Sequence, residues 1–98
     1  MTTEAYVARE RVTIVNQRGL HARASAKFVN AVAELPAGFD VTVGKDGTDA
    51  NGGSILGLMM LGAAKGDSVD LAVTGDPAQA DAILGKLAGL IKDGFGED

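Results

Sequence analysis

The segment GLHARASA, residues 19–26, contains His21, the only histidine of the chain, and Arg23 follows two residues later. A glycine followed by an alanine-rich stretch indicates a turn that leads into a helix, which places His21 at the helix N-terminus. The backbone N–H groups there have no partner within the helix, and the helix dipole makes that end partly positive. This environment favours a neutral imidazole, whose unprotonated ring nitrogen can act as a nucleophile.

Arg23 could complete an anion site at the same helix end. Amides at a helix N-terminus bind anions such as phosphate, and a guanidinium presents a planar fork of donors that matches phosphate oxygens. Residues two apart on a helix do not face each other. If His21 lies outside the helix as its cap, however, Arg23 in the first turn can still reach the anion.

Other interpretations of these residues stay open from the sequence. A lone histidine is most often a solvated or packed side chain without chemistry. A metal site is disfavoured because no second histidine and no cysteine exist, and we expect neither a metal nor a cofactor. A Ser-His-Asp hydrolase using Ser25 or Ser54 is formally possible, although neither serine lies in a nucleophile-elbow pattern.

The second notable segment is NGGSILGLMMLG, residues 51–62. Ser54 follows two glycines and is a natural N-cap for a short helix. That helix would be apolar on almost every side. It is then either thoroughly buried or partly exposed, and an exposed apolar patch that includes methionine often marks a surface for changing partners.

Length and composition restrict the class of protein. The chain has 98 residues, 46% of them hydrophobic, which is enough for one domain, residues 1–98, with a two-layer core. The net charge of −4 argues against binding to nucleic acid or to an anionic membrane. The first residues lack a signal-peptide core, and the longest apolar run is too short to span a bilayer. These features predict a cytoplasmic protein.

Short elements follow one another along the chain with clear turn signals between them. In chain order they are a strand around Val12 and Ile14, a helix from Ala22 to about Leu35, a strand at 39–43, a hairpin turn at Asp46-Gly47, a return strand at 48–51, a helix from Ser54 to about Leu61, a strand with Val69, Leu71 and Val73 on one face, and a helix capped by Asp76. The order β-α-β-β-α-β-α predicts an α+β two-layer fold, an open-faced β-sandwich with a four-stranded antiparallel sheet and three helices on one face.

Together, GLHAR and NGGSILGLMMLGA, about thirty residues apart, resemble the two signature regions of HPr, the histidine-containing phosphocarrier of the bacterial phosphotransferase system. The resemblance in element order and length covers essentially the whole chain. It implies a stoichiometric carrier, not an enzyme, that accepts a phosphoryl group from Enzyme I, itself charged by phosphoenolpyruvate, and passes it to IIA-type domains. We expect such a carrier to be a monomer.

The resemblance also implies roles for individual residues. His21 matches the phosphorylated histidine, which attacks through a ring nitrogen, Nδ1, and Arg23 matches the phosphate-stabilising arginine. Ser54 matches the serine that the HPr serine kinase/phosphorylase modifies in many members. A further set falls where members present side chains to their partners: Ala22, Ile55, Leu56 and Met59.

The sequence departs from the family pattern at two points. Ala24-Ser25 stands where the family usually has proline followed by alanine, and Gly53 replaces a frequent lysine beside the serine. Such variants resemble proteobacterial members of the nitrogen-related branch. The alternative function is an HPr-like regulatory module that acts through Ser54 and the apolar helix at 54–60 without phosphotransfer.

Overall fold

The computed structural model describes residues 6–97. Their elements are β1 (Tyr6–Thr13), α1 (Ala22–Ala33), β2 (Asp40–Lys45), β3 (Thr48–Asn51), α2 (Ile55–Met60), β4 (Ser68–Gly75), α3 (Pro77–Lys92) and a 3-10 turn (Gly94–Gly96). The strands form one antiparallel sheet in the order β1-β4-β2-β3. The predicted fold class and element order are confirmed.

Strand β4 lies inside the sheet, where it pairs with β1 on one side and β2 on the other. Its alternating residues Val69, Leu71 and Val73 are completely buried beneath the helices, while the residues between them face the uncovered side of the sheet or its margin. This is the period-two pattern that the sequence predicts for a half-buried strand. The sheet therefore has one face packed against helices and one face open.

Helix α3 supplies the largest share of the covering layer. Asp76 caps it through a hydrogen bond from the Ala78 N–H, and Pro77 occupies its first position. The apolar stripe lies against β1 and β4, and its buried members are Ala80, Ile83, Leu84, Leu87, Ala88 and Ile91. Burying one such leucine or isoleucine contributes about 1.5–3 kcal/mol. Within residues 6–97 no helix is both long and apolar enough to cross a membrane.

The hairpin between β2 and β3 forms as its turn residues predict. Asp46 and Gly47 both have positive φ, 51° and 82°, as a two-residue type I′ turn requires. Lys45 consequently pairs with Thr48 at the end of the ladder. The turn chemistry alone therefore predicts this part of the sheet register.

The first strand ends earlier than the alternation of its residues suggests. Ile14 is fully buried, as predicted, but it lies beyond Thr13, the last residue of β1. The backbone N–H of Ile14 donates to the backbone carbonyl oxygen of Asp67, and the backbone carbonyl oxygen of Ile14 accepts from the Gly66 N–H. Ile14 is therefore hydrogen-bonded to the turn before β4. The hydrophobic pattern predicts which side chains are buried, whereas the backbone partners depend on the fold.

The segment that leads into α1 is pinned against the segment that leads into β4. The Leu20 N–H donates to the Ala63 oxygen at 2.9 Å, and Gly19 beside it has a φ of 62°. A Cβ on Gly19 would overlap the Ala63 oxygen and approach the Ala64 backbone at 2.9 Å. Only glycine permits this close approach, which fixes where α1 begins.

We expect Gly19→Ala to destabilise the protein more than Gly62→Ala. Gly62 has nearly the same φ, 64°, but nothing lies within 4 Å of an added Cβ. Gly62→Ala should therefore lower the free energy of unfolding only by the cost of a left-handed backbone at a residue with a side chain, about 1–2 kcal/mol. Gly19→Ala should cost at least about 1 kcal/mol more, because a backbone contact must also give way. Urea unfolding of the two variants measures the difference, and equal values would show that the Gly19 contact is easily relieved.

Candidate functional site

His21 is the N-cap of α1, as the sequence predicts. Its backbone is extended, with φ −75° and ψ −179°, and its carbonyl accepts the first helical hydrogen bond from the Ser25 N–H. The ring nitrogen Nδ1 accepts a hydrogen bond from the Arg23 N–H at 3.2 Å. The imidazole thus takes the role that a serine or aspartate oxygen usually has at this position.

The other ring nitrogen of His21 faces the C-terminal segment of the chain. Nε2 lies 2.9 Å from Oε2 and 3.2 Å from Oε1 of Glu97. Nδ1 accepts a hydrogen bond from the Arg23 N–H, so Nε2 is the ring nitrogen that carries the hydrogen. The Nε2–H therefore donates a hydrogen bond to the carboxylate. Both side chains are about one-fifth exposed, 20% for His21 and 18% for Glu97. The ring is therefore held in one orientation from both edges.

Glu97 is itself held by residues from two other segments. The buried Asn16 donates through Nδ2 to Glu97 Oε1 at 3.0 Å and to the Gly19 oxygen at 2.8 Å. Phe95, 1% exposed, anchors the preceding turn in the core, and Lys27 Nζ donates to the Phe95 oxygen at 2.7 Å. These contacts fix the carboxylate beside the imidazole.

The surroundings of Glu97 stabilise its ionised form. Burial by itself would raise the pKa of this carboxyl. The hydrogen bonds from Asn16 and His21, followed by electrostatic attraction from His21 and Lys27, outweigh burial and hold the pKa of Glu97 below its ordinary value of 4.5. The site therefore keeps a negative charge next to Nε2.

A cleft of about 380 Å³ opens in front of His21. Its wall carries three cationic side chains, Arg18, Arg23 and Lys27, and one carboxylate, Glu97. No hydrogen bond described for residues 6–97 involves the Arg23 guanidinium, which is exposed at this cleft. The predicted convergence of a histidine, helix amides and a cation within one turn is present, and the arrangement can accept a dianion such as a phosphoryl group.

Ser54 is the N-cap of α2, as predicted. Its Oγ accepts a hydrogen bond from the Gly57 N–H at 2.9 Å, and its backbone carbonyl oxygen accepts one from the Leu58 N–H. The hydroxyl is part-buried and belongs to the cap. Ser54 and His21 lie at the starts of two different helices.

Helix α2 is partly exposed, so the interpretation as a thoroughly buried helix is wrong. Leu58 alone is buried among its residues. The exposed side chains form an apolar surface on α2, which we call the α2 patch: Ile55, Leu56, Met59 and Met60. Ala22 is exposed at the start of α1, which packs against α2. The predicted partner-binding residues thus lie on two neighbouring helices.

Ser25, whose role the sequence leaves open, has a structural one. Its side chain is fully buried, and its hydroxyl donates to the Leu20 oxygen at 3.2 Å. This bond closes the loop that precedes His21. A buried hydroxyl committed to a backbone acceptor is poorly placed for attack on an ester, which argues against the hydrolase interpretation.

Sequence reasoning missed several residues that the fold brings to the site. Glu97 lies 76 positions from His21, and nothing in its local sequence indicates the contact. Asn16 is likewise recognised only from its buried position. Lys27 could have been found, because it stands four residues after Arg23 and therefore on the same side of α1.

Comparison with known proteins shows which family this chain resembles. A family model described as "PTS HPr component phosphorylation site" matches residues 8–93. The "Phosphocarrier protein HPr" of Neisseria meningitidis is 42% identical over 90 residues, which cover 91% of this chain and 96% of that protein. The "Phosphocarrier protein NPr" of Escherichia coli is 37% identical over 93 residues, covering 92% and 97% respectively.

Solved structures of similar proteins share the fold. HPr from Thermoanaerobacter tengcongensis superposes with a TM-score of 0.83 at 34% identity, covering 93% of this chain and 98% of that one. HPr from Bacillus anthracis gives a TM-score of 0.78 at 29% identity, covering 87% and 96%. The likeness therefore extends over nearly the full length of each protein.

The lowered pKa of Glu97 predicts how stability depends on pH. A carboxyl whose pKa is lower in the folded than in the unfolded state stabilises the fold above the unfolded pKa, and this stabilisation is lost as the pH falls through the folded pKa. Glu97→Gln should therefore reduce the thermal midpoint at pH 7, and the difference from wild type should shrink as the pH falls below about 4.5. Thermal melts across this range test the prediction.

Glu34→Gln is the matched control, since Glu34 is exposed at the C-terminal end of α1. It should change the midpoint little, and without the same trend. A Glu97→Gln difference that stays constant down to pH 3 would contradict the assigned ionisation.

Proposed function

This chain belongs to the HPr family of phosphotransferase-system phosphocarriers, and from that premise we propose that His21 is the residue that carries the phosphoryl group. The observation that carries the proposal is the placement of the His21 ring. It caps α1, accepts the Arg23 N–H at Nδ1, and lies at a cleft with three cationic side chains. The carrier role is common to the HPr and NPr relatives, so it does not depend on a choice between the sugar-related and nitrogen-related branches.

The transfer begins with Nδ1 of His21 in line with the phosphorus of a donor phosphohistidine. The Nδ1 lone pair forms a new P–N bond while the P–N bond of the donor breaks, and that electron pair returns to the donor ring. The hydrogen on Nε2 stays in place, so the His21 ring becomes a cation that carries a phosphoryl group. No metal or nucleotide takes part in this step.

Positioning and charge account for most of the catalysis in such a transfer. As Nδ1 bonds to phosphorus, the Arg23 N–H loses its acceptor there and can donate to a phosphoryl oxygen instead. The Arg23 side chain, free at the cleft, provides a bidentate contact to the same oxygens. Arg18 and Lys27 offset the remaining negative charge.

Enzyme I as donor and IIA-type domains as acceptors are the partners that this role requires. We assign their contact to Ala22 and the α2 patch, because these exposed side chains lie on the helices whose N-termini carry His21 and Ser54. The acidic net charge of −4 disfavours nucleic acid as a partner. The proposed carrier acts as a cytoplasmic monomer formed by a single domain, residues 1–98.

Ser54 is the proposed regulatory site, modified by a serine kinase of the HPr type. Its hydroxyl caps α2 beside Ile55, the first residue of the α2 patch. A phosphoryl group there adds a charge of about −1.5 to −2 next to the patch. A partner that covers the patch must then desolvate this charge, which weakens binding.

Labelling with phosphoenolpyruvate and purified Enzyme I, followed by intact-mass measurement, tests the function. Wild type should gain one acid-labile phosphoryl group. His21→Asn should gain none, although its amide oxygen can still cap α1, so loss of label cannot be attributed to loss of the cap. Arg23→Lys should accept phosphate about tenfold more slowly, because one charge-assisted hydrogen bond contributes about 1.5–3 kcal/mol.

Label that persists in His21→Asn would overturn the assignment of His21. A wild type that stays unlabelled beside an active Enzyme I would favour the alternative, a regulatory module acting through Ser54 and the helix at 54–60. Circular dichroism of each variant confirms that the fold is retained.

Ser54→Asp and Ser54→Asn form a matched pair that isolates charge. Both side chains can cap α2, so both variants should keep thermal midpoints close to wild type. Ser54→Asp should accept phosphate from Enzyme I at least about threefold more slowly than Ser54→Asn, chiefly through a higher KM, because only its charge opposes docking. Equal KM values for the pair would refute the regulatory role of Ser54. Unfolding of both variants would show that Ser54 is only a structural cap.

A further inference from the structure

We propose that Glu97 is a positioning residue that directs the phosphoryl group to Nδ1 of His21 by occupying Nε2. The inference rests on the proposed phosphorylation of His21 and adds a second segment of the chain to that site. The C-terminal turn (Gly94–Gly96) and Glu97 then form one wall of the phosphorylation cleft.

The two ring nitrogens of His21 have unequal partners. Nδ1 accepts one neutral backbone N–H at 3.2 Å, from Arg23 in the exposed first turn of α1. Nε2 donates to a carboxylate whose two oxygens lie 2.9 and 3.2 Å away, with both side chains about four-fifths buried. Hydrogen bonds to charged groups are the stronger ones, so Nδ1 is the nitrogen that becomes free to attack.

Glu97 cannot follow the ring if the ring rotates. The Asn16 amide donates to both the Gly19 oxygen and Glu97 Oε1, so its orientation is fixed by two acceptors. Phe95 has a φ of 59°, rare for a residue with a side chain, and its burial in the core holds this turn in place. Lys27 adds a hydrogen bond from α1 to the Phe95 oxygen.

Glu97 keeps its charge through the transfer and takes no proton. When the P–Nδ1 bond forms, the imidazole becomes a cation whose Nε2–H already points at the carboxylate. The carboxylate lies at the opposite edge of the ring from Nδ1, so it does not block the phosphorus. The Glu97 carboxylate thus orients the neutral ring before transfer and lies beside the cationic ring after it.

Phosphoramidate, a small phosphoryl donor that needs no partner protein, provides the test. The histidine nitrogen attacks its phosphorus, the P–N bond of phosphoramidate breaks, and ammonia leaves after protonation by water. NMR spectroscopy of ¹⁵N-labelled protein then distinguishes the Nδ1 product from the Nε2 product. N-acetylhistidine under the same conditions gives the intrinsic ratio of the two products.

Wild type should favour the Nδ1 product by at least about tenfold over the intrinsic ratio, the factor expected from one charge-assisted hydrogen bond at Nε2. Glu97→Ala should return the ratio to within about threefold of N-acetylhistidine. Glu97→Gln should retain only part of the selectivity, because Oε1 still lies 3.2 Å from Nε2 and 3.0 Å from Asn16 Nδ2 but the hydrogen bond to Nε2 is no longer charge-assisted. Glu34→Ala, which removes an exposed carboxylate at the far end of α1, should leave the ratio unchanged.

A Glu97→Ala protein that keeps its fold and the wild-type ratio would overturn the inference, as would a wild type with the intrinsic ratio. If Glu97→Ala loses its fold, Glu97→Asp carries the same comparison, since its shorter side chain retreats from Nε2. Failure of the proposed function looks different: Enzyme I would leave His21 unlabelled, while phosphoramidate would still give the selective Nδ1 product.

Discussion

The site depends on one constraint: the imidazole of His21 is hydrogen-bonded at both ring nitrogens. The helix-end amide of Arg23 meets Nδ1, and the carboxylate of Glu97 meets Nε2. The first contact requires that α1 begin at Ala22, which follows from the close approach of Gly19 to Ala63. The second requires the C-terminal turn to return to the start of α1, and the burial of Phe95 ensures that it does.

The sheet and α3 form the rigid core that supports this arrangement. Antiparallel pairing of β4 with β1 and β2 makes a rigid platform, and α3 covers much of its buried face. The loops at the edges of the platform are then free to carry polar groups at fixed positions. His21 at the start of α1 and the apolar α2 patch lie on neighbouring helices that pack against each other.

This chain combines the fold of its HPr relatives with residues of its own at the start of α1. The HPr relatives share their fold with this chain over most of its length, and the roles of His21, Arg23 and Ser54 within that fold are the ones proposed above. Ala24 and Ser25 replace the usual residues without disturbing the helix start, because alanine is a strong helix former and the Ser25 hydroxyl bonds to the Leu20 oxygen. The structure thus assigns a role to Ser25, for which the sequence indicated none.

The sequence by itself determined the strands, helices and turn types, because apolar period and capping residues act over a few positions. It also placed His21 at the N-terminus of α1, just before the first turn that contains Arg23. Only the tertiary structure decided that Ile14 pairs with a turn, that α2 leaves four apolar side chains exposed, and that Glu97 reaches His21. Such contacts join residues far apart in the chain, and no local periodicity encodes them. The Phe95 anchor and the Asn16 amide bring the carboxylate to the ring, and both act only once the core has formed.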